Sequence, residues 1–287
     1  PTENYMLMND LDFSNEENTI QISNIYKGKI DGNNHTIRNI FIEDAFLFRN
    51  LQGTIKNLYI ENVQKKNNNV VENALIRDMN NADIDNVHIS NVNMKYTNKL
   101  SSRKIAVLTI NSTASRIKNS SLNGITIMQE ETRSFDYIYI GGFACNINQT
   151  SIENSYMNNF SIKSSNASDL KIGSLVSYVD GKSTITNCYA VNGKIEAKSK
   201  NVGGLVGYIG NGSKIEKCFS YVDLMSEDDF LGGIVGDSFN GIQDDINYDL
   251  SLGNIYSSAI STNTSRIVGN SQDVTNNYAY GMQKING

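Results

Sequence analysis

The stretch that decides the fold is residues 201–222, NVGGLVGYIGNGSKIEKCFSYV, which closely matches residues 171–192, KIGSLVSYVDGKSTITNCYAVN. The two segments start thirty residues apart and carry glycine, small and apolar residues at corresponding positions. A period of about 20–50 residues is typical of repeat proteins, in which each unit buries its apolar face against the next unit. The sequence therefore predicts a stack of similar coils.

Two motifs recur along the chain with the same phase. The first is isoleucine, any residue and usually asparagine; its copies begin at 37, 55, 84, 117, 152, 185 and 215, and those from 55 onward are 29 to 35 residues apart. The second is an apolar, often glycine-rich hexapeptide that begins at 105, 140, 172, 202 and 231. Both alternate apolar and polar residues, as strands do, and no helical stripe is present. We predict an all-β fold, a right-handed parallel β-helix (β-solenoid) of about eight coils with a period of about 30 residues.

Stacked coils place equivalent residues about 4.8 Å apart, so that each position becomes a ladder. We expect the isoleucines of the first motif to point inward, and the asparagines two residues later to form an amide ladder at a corner, each side chain donating to the next. The predicted inward ladder is Ile55, Ile84, Ile117, Ile152, Ile185 and Ile215, and the predicted amide ladder is Asn57, Asn86, Asn119, Asn154 and Asn187.

The glycine pair Gly203 and Gly204 needs a backbone explanation. Either φ is positive there, or the backbone lies too close to another segment for a Cβ atom. A phosphate-binding loop is the functional alternative, but neither Lys-Ser/Thr nor a helix start follows the glycines. The glycines therefore indicate a tight bend of the coil.

Composition limits the function classes. Hydrophobic residues make up 39% and charged residues 19% of the 287 residues, as in a folded soluble protein, and the 42 asparagines indicate many turns. The net charge of −5, without a basic stripe, argues against nucleic-acid binding. No apolar run is long enough to span a membrane and no signal peptide is present, and we interpret the chain as a piece of a larger protein.

The repeat pattern suggests three regions. Residues 1–50 are predicted to start the β-helix, residues 51–240 to form its regular coils, and residues 241–287 to form irregular C-terminal coils or a cap. Two polar stretches, 63–71 and 93–104, interrupt the repeat and are predicted to be protruding loops.

Several motifs resemble a known family. VGGLVG (202–207), LGGIVG (231–236) and ITNCYA (185–190) look like the GLUG-type repeats of bacterial surface proteins. The N-terminal order NYMLMNDLDFS, YKGKIDGNNHTIRNI, FLFRNLQGTIKNLYIENV and ADIDNVHISNVNM is similar to the non-catalytic β-helical region of the Gram-positive immunoglobulin-A-specific zinc metalloendopeptidases. The resemblance covers roughly residues 5–240.

The resemblance implies a secreted, cell-wall-associated virulence protease, of which this chain would be a scaffold or a region that engages or gates substrate. Its partners would be other domains of the parent chain and immunoglobulin A or another host protein. The family's catalytic unit is His-Glu-x-x-His on a helix with a downstream glutamate. This chain contains only His35 and His88, outside any such motif, so no zinc ligand carries over. We expect the fragment to be non-catalytic and without a cofactor, and zinc to lie in a separate catalytic domain.

The residues two positions after each corner asparagine are predicted to point outward. Together they form an outward row, which is our candidate for a partner-binding surface. Exposed aromatic residues in register stack on one another, are covered by another part of the parent, or bind a partner. The partner-binding candidates are Tyr59, Tyr156, Tyr189 and Phe219, and the row as predicted also includes Phe41 and His88, with Ser121 as an interruption.

The remaining candidate residues have structural alternatives. Cys145, Cys188 and Cys218 do not form a disulfide framework, and we expect Cys188 and Cys218 to be reduced thiols that point inward in adjacent coils. The acidic groups Glu227–Asp229 and Asp244, Asp245 and Asp249 are interpreted as solvated loops, with calcium binding as the alternative.

Two other functions compete with the protease interpretation. One is a surface adhesin or cell-wall binding module built from the same repeats. The other is a carbohydrate-active β-helix enzyme, which would need paired carboxylates on one outer face, whereas Asp83 and Asp85 have no basic cluster beside them in the repeat. Flanking sequence would distinguish them, since a downstream His-Glu-x-x-His supports the protease and a long repeat array with a sorting signal supports the adhesin.

Overall fold

A computed structural model shows the chain wound through three parallel sheets, and within the described residues its regular elements are all strands. Neighbouring strands of each sheet come from successive coils, which confirms the predicted all-β parallel solenoid. The described residues are 1–14, 22–42, 47–65, 71–96, 102–129, 135–165, 167–198, 200–228, 230–238, 245–258, 263–269 and 274–280.

The three sheets are numbered here by size, and their strands are given for the described residues. Sheet 1 contains Tyr5–Met6, Leu11–Asp12, Lys29–Asp31, Thr36–Arg38, Phe41–Ile42, Thr54–Lys65, Asp83–Tyr96, Arg116–Lys118, Ser121–Gln129, Ser151–Glu153, Tyr156–Lys163, Thr184–Thr186, Tyr189–Ala197, Lys214–Glu216, Phe219–Ser226, Asp245–Asn247, Leu250–Ser251, Ile255–Ser257, Val274–Thr275 and Tyr278–Ala279. Sheet 2 contains Ile22–Tyr26, Phe48–Leu51, Ile76–Asn80, Thr109–Thr113, Ala144–Asn148, Val176–Asp180, Val206–Ile209 and Val235–Ser238. Sheet 3 contains Glu72–Asn73, Ser102–Ala106, Phe135–Gly141, Ala167–Gly173, Val202–Gly203, Leu231–Gly232 and Thr264–Ser265.

The isoleucines of the first motif form a continuous inward ladder in sheet 1. Consecutive residues from Ile55 to Ile215 pair in register, and each has 5% or less of its surface exposed. The ladder extends beyond the predicted copies, to Ile30 at one end and to Ile246 at the other. Burial of these stacked side chains is the main contribution to stability, since no coil encloses a core by itself.

The second motif forms the bend between sheets 3 and 2. Its first residues pair in register from Ile105 to Leu231, and neither Gly203 nor Gly204 has a positive φ. A Cβ atom on Gly203 would lie 1.8 Å from the carbonyl oxygen of Val206 in its own coil. On Gly204 it would lie 2.1 Å from the carbonyl oxygen of Gly233 in the next coil. Close backbone approach is therefore the reason for these glycines.

The asparagines of the first motif occupy left-handed corners. The five predicted ladder residues have φ between 49° and 56°, and asparagine provides 16 of the 22 non-glycine residues with positive φ in the described part of the chain. Asparagine tolerates this conformation better than most residues because its short side chain bonds locally. In the described part of the chain, asparagine thus marks bends within the strands as well as turns between them.

The amide ladder is continuous except at one step. Asn86 Nδ2 donates to Asn57 Oδ1 at 3.0 Å, and Asn154 and Asn187 each donate to the preceding asparagine at 3.4 Å. Asn119 instead donates to Asp85 Oδ1 at 2.8 Å, while Asn86 Oδ1 contacts a ring nitrogen of His88 at 2.9 Å. The histidine side chain therefore takes the acceptor that the ladder would otherwise have used.

Two predicted loops are partly strand. Residues 63–65 and 93–96 continue sheet 1, and residues 102–104 begin a strand of sheet 3. Val63, Met94 and Tyr96 are each 1% exposed, because the polar residues of these stretches alternate with inward apolar ones. Val71, the last residue of the first stretch, is 38% exposed, and residues 66–70 and 97–101 lie outside the described residues.

Candidate interaction surface

The predicted outward aromatic row lies on sheet 1. Tyr59 pairs with His88, and the row continues through Ser121 and Tyr156 to Tyr189 and Phe219. Tyr59 and Tyr189 are 38% and 37% exposed, and Tyr156 and Phe219 are partly buried. The sequence pattern thus brings these side chains onto one face.

Phe41 is not part of this row, contrary to the prediction. Thr36 is the residue that pairs with Tyr59, whereas Phe41 pairs with Gln64. The Ile-x-Asn motif occurs twice in a coil, as IKN (55–57) and IEN (60–62), and Ile37 aligns with the second occurrence, not the first. The first copy of the motif was therefore assigned out of register.

The aromatic side chains of the row stack on one another. The rings of Tyr156 and Tyr189 are parallel within 1°, with centroids 4.7 Å apart, and those of Tyr59 and His88 are 5.0 Å apart and tilted by 31°. Because the faces of Tyr156 and Tyr189 contact each other, this pair offers ring edges and hydroxyl groups to solvent. Such amphipathic edges are typical of interface tyrosines.

His88 contacts Tyr59 in the row as a hydrogen-bonded, uncharged side chain, and the stack is interrupted at the next position, Ser121. Its Nε2 lies 2.9 Å from Asn86 Oδ1, an acceptor, so Nε2 carries the proton and Nδ1 accepts from the Ser121 hydroxyl at 2.7 Å. Burial lowers the pKa of His88. Both ring nitrogens therefore have structural roles, and neither is available to a metal.

The charged residues beside the row are paired across coils. Arg116 donates to both carboxylate oxygens of Asp83, at 2.9 and 2.8 Å, and Lys118 lies 3.2 Å from Asp85. The Arg116 hydrogen bonds lower the pKa of Asp83. A glycosidase needs a carboxyl group with a raised pKa as its acid, so this pair does not suit that chemistry.

The described residues contain no cluster of three or more histidine, cysteine or acidic side chains arranged to hold a metal. His35 contacts Asp10, which Arg38 also contacts at 2.6 Å. Of the acidic groups considered for calcium, Asp229 and Asp244 lie outside the described residues, and Asp245 pairs with Lys214 at 3.2 Å.

Asp249 differs from the solvated loop residue that the sequence suggested. It is 0% exposed and lies at the inward position that Cys218 occupies in the preceding coil. Burial raises the pKa of Asp249 to about 7, and the neighbouring Glu216 and Asp245 act in the same direction. Cys188 and Cys218 are buried free thiols.

A second outward cluster, not predicted, lies where sheets 3 and 2 meet. Lys171 Nζ lies 4.6, 5.8 and 5.6 Å from the ring centroids of Tyr139, Tyr178 and Tyr208, and it also pairs with Asp169. Tyr139 donates its hydroxyl to the same carboxylate. The sequence signal was the tyrosine repeated in SYV (177–179) and GYI (207–209). Because the lysine already fills the space between the rings, the cluster is a structural network.

The fold has solved relatives, although no protein-family profile and no curated protein matches the sequence. A crystal structure described as a "putative immunoglobulin A1 protease" from Bacteroides ovatus is 17% identical with a TM-score of 0.57, over 98% of this chain and 78% of that one. A structure described as "IgA1 Protease" is 23% identical with a TM-score of 0.63, over 88% of this chain and 20% of that one. Identities this low establish the fold alone.

The chain thus spans about a fifth of the second of these proteins. The sequence resemblance to GLUG-type repeats and to the Gram-positive zinc endopeptidases remains a prediction. None of the described segments forms a helix with the length and apolar character that crossing a bilayer requires.

Proposed function

We propose that this chain is a non-catalytic β-solenoid region of a secreted, cell-surface protease that cleaves immunoglobulin A, and that it holds or engages the substrate. The observation that carries the proposal is the fold, which two solved proteins described as immunoglobulin A1 proteases share over 98% and 88% of this chain. The N-terminal sequence series points to the same class independently. The catalytic zinc and its ligands would belong to another part of that protease.

The outward row Tyr59, Tyr156, Tyr189 and Phe219 is the proposed contact surface for immunoglobulin A or an adjoining domain. Aromatic side chains commonly supply a large share of interface energy, and those of this row are partly exposed on a paired sheet, Tyr59 and Tyr189 most of all. The paired charges around the row leave it electrically balanced, so contact would depend on packing and on the tyrosine hydroxyl groups rather than on attraction between net charges.

Replacing the four residues of the row with serine in the full-length protease is expected to raise the KM for immunoglobulin A about tenfold or more, since truncation of one anchor residue commonly costs about 2 kcal/mol. The thermal midpoint should also fall, because each lost ring removes about 1 kcal/mol of packing, so KM is measured at a temperature at which the melting curve shows the variant folded. The measurements are KM and kcat for immunoglobulin A together with a melting curve.

The matched control replaces Tyr221 and Met8, two apolar residues outside the row with 50% and 71% exposure, with serine. It should leave the KM unchanged. Unchanged KM and kcat in the fourfold variant would show that the row does not contact the substrate. A raised KM in both variants would show that the effect comes from removing exposed apolar side chains in general and is not specific to the row.

A further inference from the structure

Asp249 occupies a position that is uncharged in the coils before it. It follows Tyr248, a left-handed corner residue with φ 56°, as Cys218 follows Lys217 and as Cys188 follows Asn187. In the next two coils toward the N-terminus, the same position holds Ser155 and then Ser120, which are both buried. An ionisable carboxyl group at this place is therefore an exception within the stack.

The side chain at this position connects one coil to the next. Ser155 Oγ accepts a hydrogen bond from the N–H of Ser120 at 3.1 Å, and Asp249 Oδ1 accepts one from the N–H of Cys218 at 2.7 Å. The N–H of Asp249 donates in turn to Asn277 Oδ1 at 2.9 Å. Removing any of these acceptors would leave a buried N–H without a partner.

The second oxygen of Asp249 distinguishes it from the other residues of the position. Oδ2 is buried and has no hydrogen-bond partner among the residues that the structure describes. A carboxylate needs several donors to remain ionised in the interior, whereas a neutral carboxylic acid is less costly to bury. The site thus provides one donor to a group that would need more if it were charged.

The charges that face Asp249 do not compensate it. Glu216 and Cys218 lie in the preceding coil with Cys188 beyond them, Asp245 lies in the same coil, and Asn277 of the following coil is neutral. Lys214 contacts Glu216 at 3.1 Å and Asp245 at 3.2 Å. Within the described part of the chain, no ion pair joins Asp249 to a cation.

We propose that Asp249 is a proton-dependent clip that holds the C-terminal coils, from residue 245 onward, onto the solenoid. While the carboxyl group is protonated, it accepts the hydrogen bond from the Cys218 N–H of the preceding coil and remains buried without a charge. Ionisation leaves a buried charge without a cation, and separation of strands Asp245–Asn247 and Leu250–Ser251 from Lys214–Glu216 and Phe219–Ser226 lets water reach it. The end of the solenoid is therefore tight at weakly acidic pH and opens more readily at neutral pH and above.

The direction in which stability changes with pH follows from the higher pKa of Asp249 in the closed state. Between the ordinary pKa of an aspartate and the raised value in the closed coil, opening releases one proton, so the closed form loses stability as the pH rises. The opening constant should increase about tenfold per pH unit over this interval and become constant above about pH 7. Below the ordinary pKa of an aspartate, the carboxyl group is protonated in both states and the closed form has its full stability.

Hydrogen exchange of the whole chain between pH 5 and pH 8, corrected for the intrinsic pH dependence of amide exchange, tests the proposal. Backbone amides of residues 245–257 and of the facing strand Phe219–Ser226 should show opening constants that rise about tenfold per unit up to neutral pH. Amides of the central coils around Ile152 should show no such slope. A carbon-13 titration of the Asp249 carboxyl group in the same protein reports its pKa directly.

Asp249→Asn is the variant that should abolish the slope, because asparagine cannot ionise. It fits the place, since Asn277 at the same position of the next coil accepts a hydrogen bond from the N–H of Asp249 and donates Nδ2 to the carbonyl oxygen of Ile246. The control Asp245→Asn removes an acidic side chain that is 47% exposed and should keep the slope. A slope that persists in Asp249→Asn, its absence in the wild type, or an Asp249 carboxyl that titrates near pH 4 would overturn the proposal.

Discussion

Replacement of Ile152 by aspartate is expected to destabilise the chain by about 4 kcal/mol or more, enough to unfold the central coils under conditions in which the wild type is folded. Ile152 is 0% exposed and pairs with Ile117 and Ile185 in the inward ladder, where a carboxylate finds neither water nor a cation. Outward Tyr156, four residues later, gives the matched comparison. Changing it to serine removes one stacked ring and should cost about 1 kcal/mol.

The two variants are compared by their urea midpoints, followed by circular dichroism and by hydrogen exchange of the central coils. Equal midpoints for Ile152→Asp and Tyr156→Ser would contradict the assignment of inward and outward faces of sheet 1. A large loss for Tyr156→Ser alone would mean that the two faces are reversed. We expect a large loss of stability from the inward substitution and a small loss from the outward one.

Replacement of Gly203 by valine is expected to cost about 3 kcal/mol or more. A Cβ atom there would lie 1.8 Å from the Val206 carbonyl oxygen and 2.6 Å from the Gly236 nitrogen, both of them backbone atoms that cannot move aside without opening the bend. Sheets 2 and 3 would separate at this coil, and the neighbouring coils would lose their partners.

Ala106 provides the control for this glycine, because it occupies the same position three coils earlier and already carries a Cβ atom. Ala106→Gly should cost about 1–2 kcal/mol, through backbone entropy and the loss of one buried methyl group. The thermal midpoints of the two variants measure the difference. If Gly203→Val melts with the wild type, the bend is not closed by backbone contact.

The solenoid was predictable because two motifs keep one phase over several coils. Each Ile-x-Asn copy places an isoleucine inward and an asparagine at the next bend, and a β-solenoid repeats that relation at each coil. The prediction failed where the motif was ambiguous. Ile37 belongs with Ile60, not with Ile55, because IKN and IEN both fit the pattern and only strand pairing distinguishes them.

Other features of the candidate sites depend on contacts between distant residues and therefore had no local signal. Asp249 lies in an acidic stretch that resembles a loop, and its burial follows from the corner at Tyr248, where neither asparagine nor glycine marks the bend. The Lys171 cluster requires sheets 3 and 2 to meet at the glycine bend. The aromatic row, by contrast, was visible in the sequence, because its members occur at one repeat position.

An assay of proteolysis by the purified 287-residue chain tests directly whether this region is non-catalytic. Immunoglobulin A is incubated with the chain, with and without added zinc, and the products are followed by mass spectrometry beside those formed by the full-length protein. We expect immunoglobulin A to remain intact with the chain alone in both conditions and to be cleaved by the full-length protein. Zinc-dependent cleavage by the chain alone would contradict this expectation, because the described residues contain no ligand cluster to which that activity could be assigned.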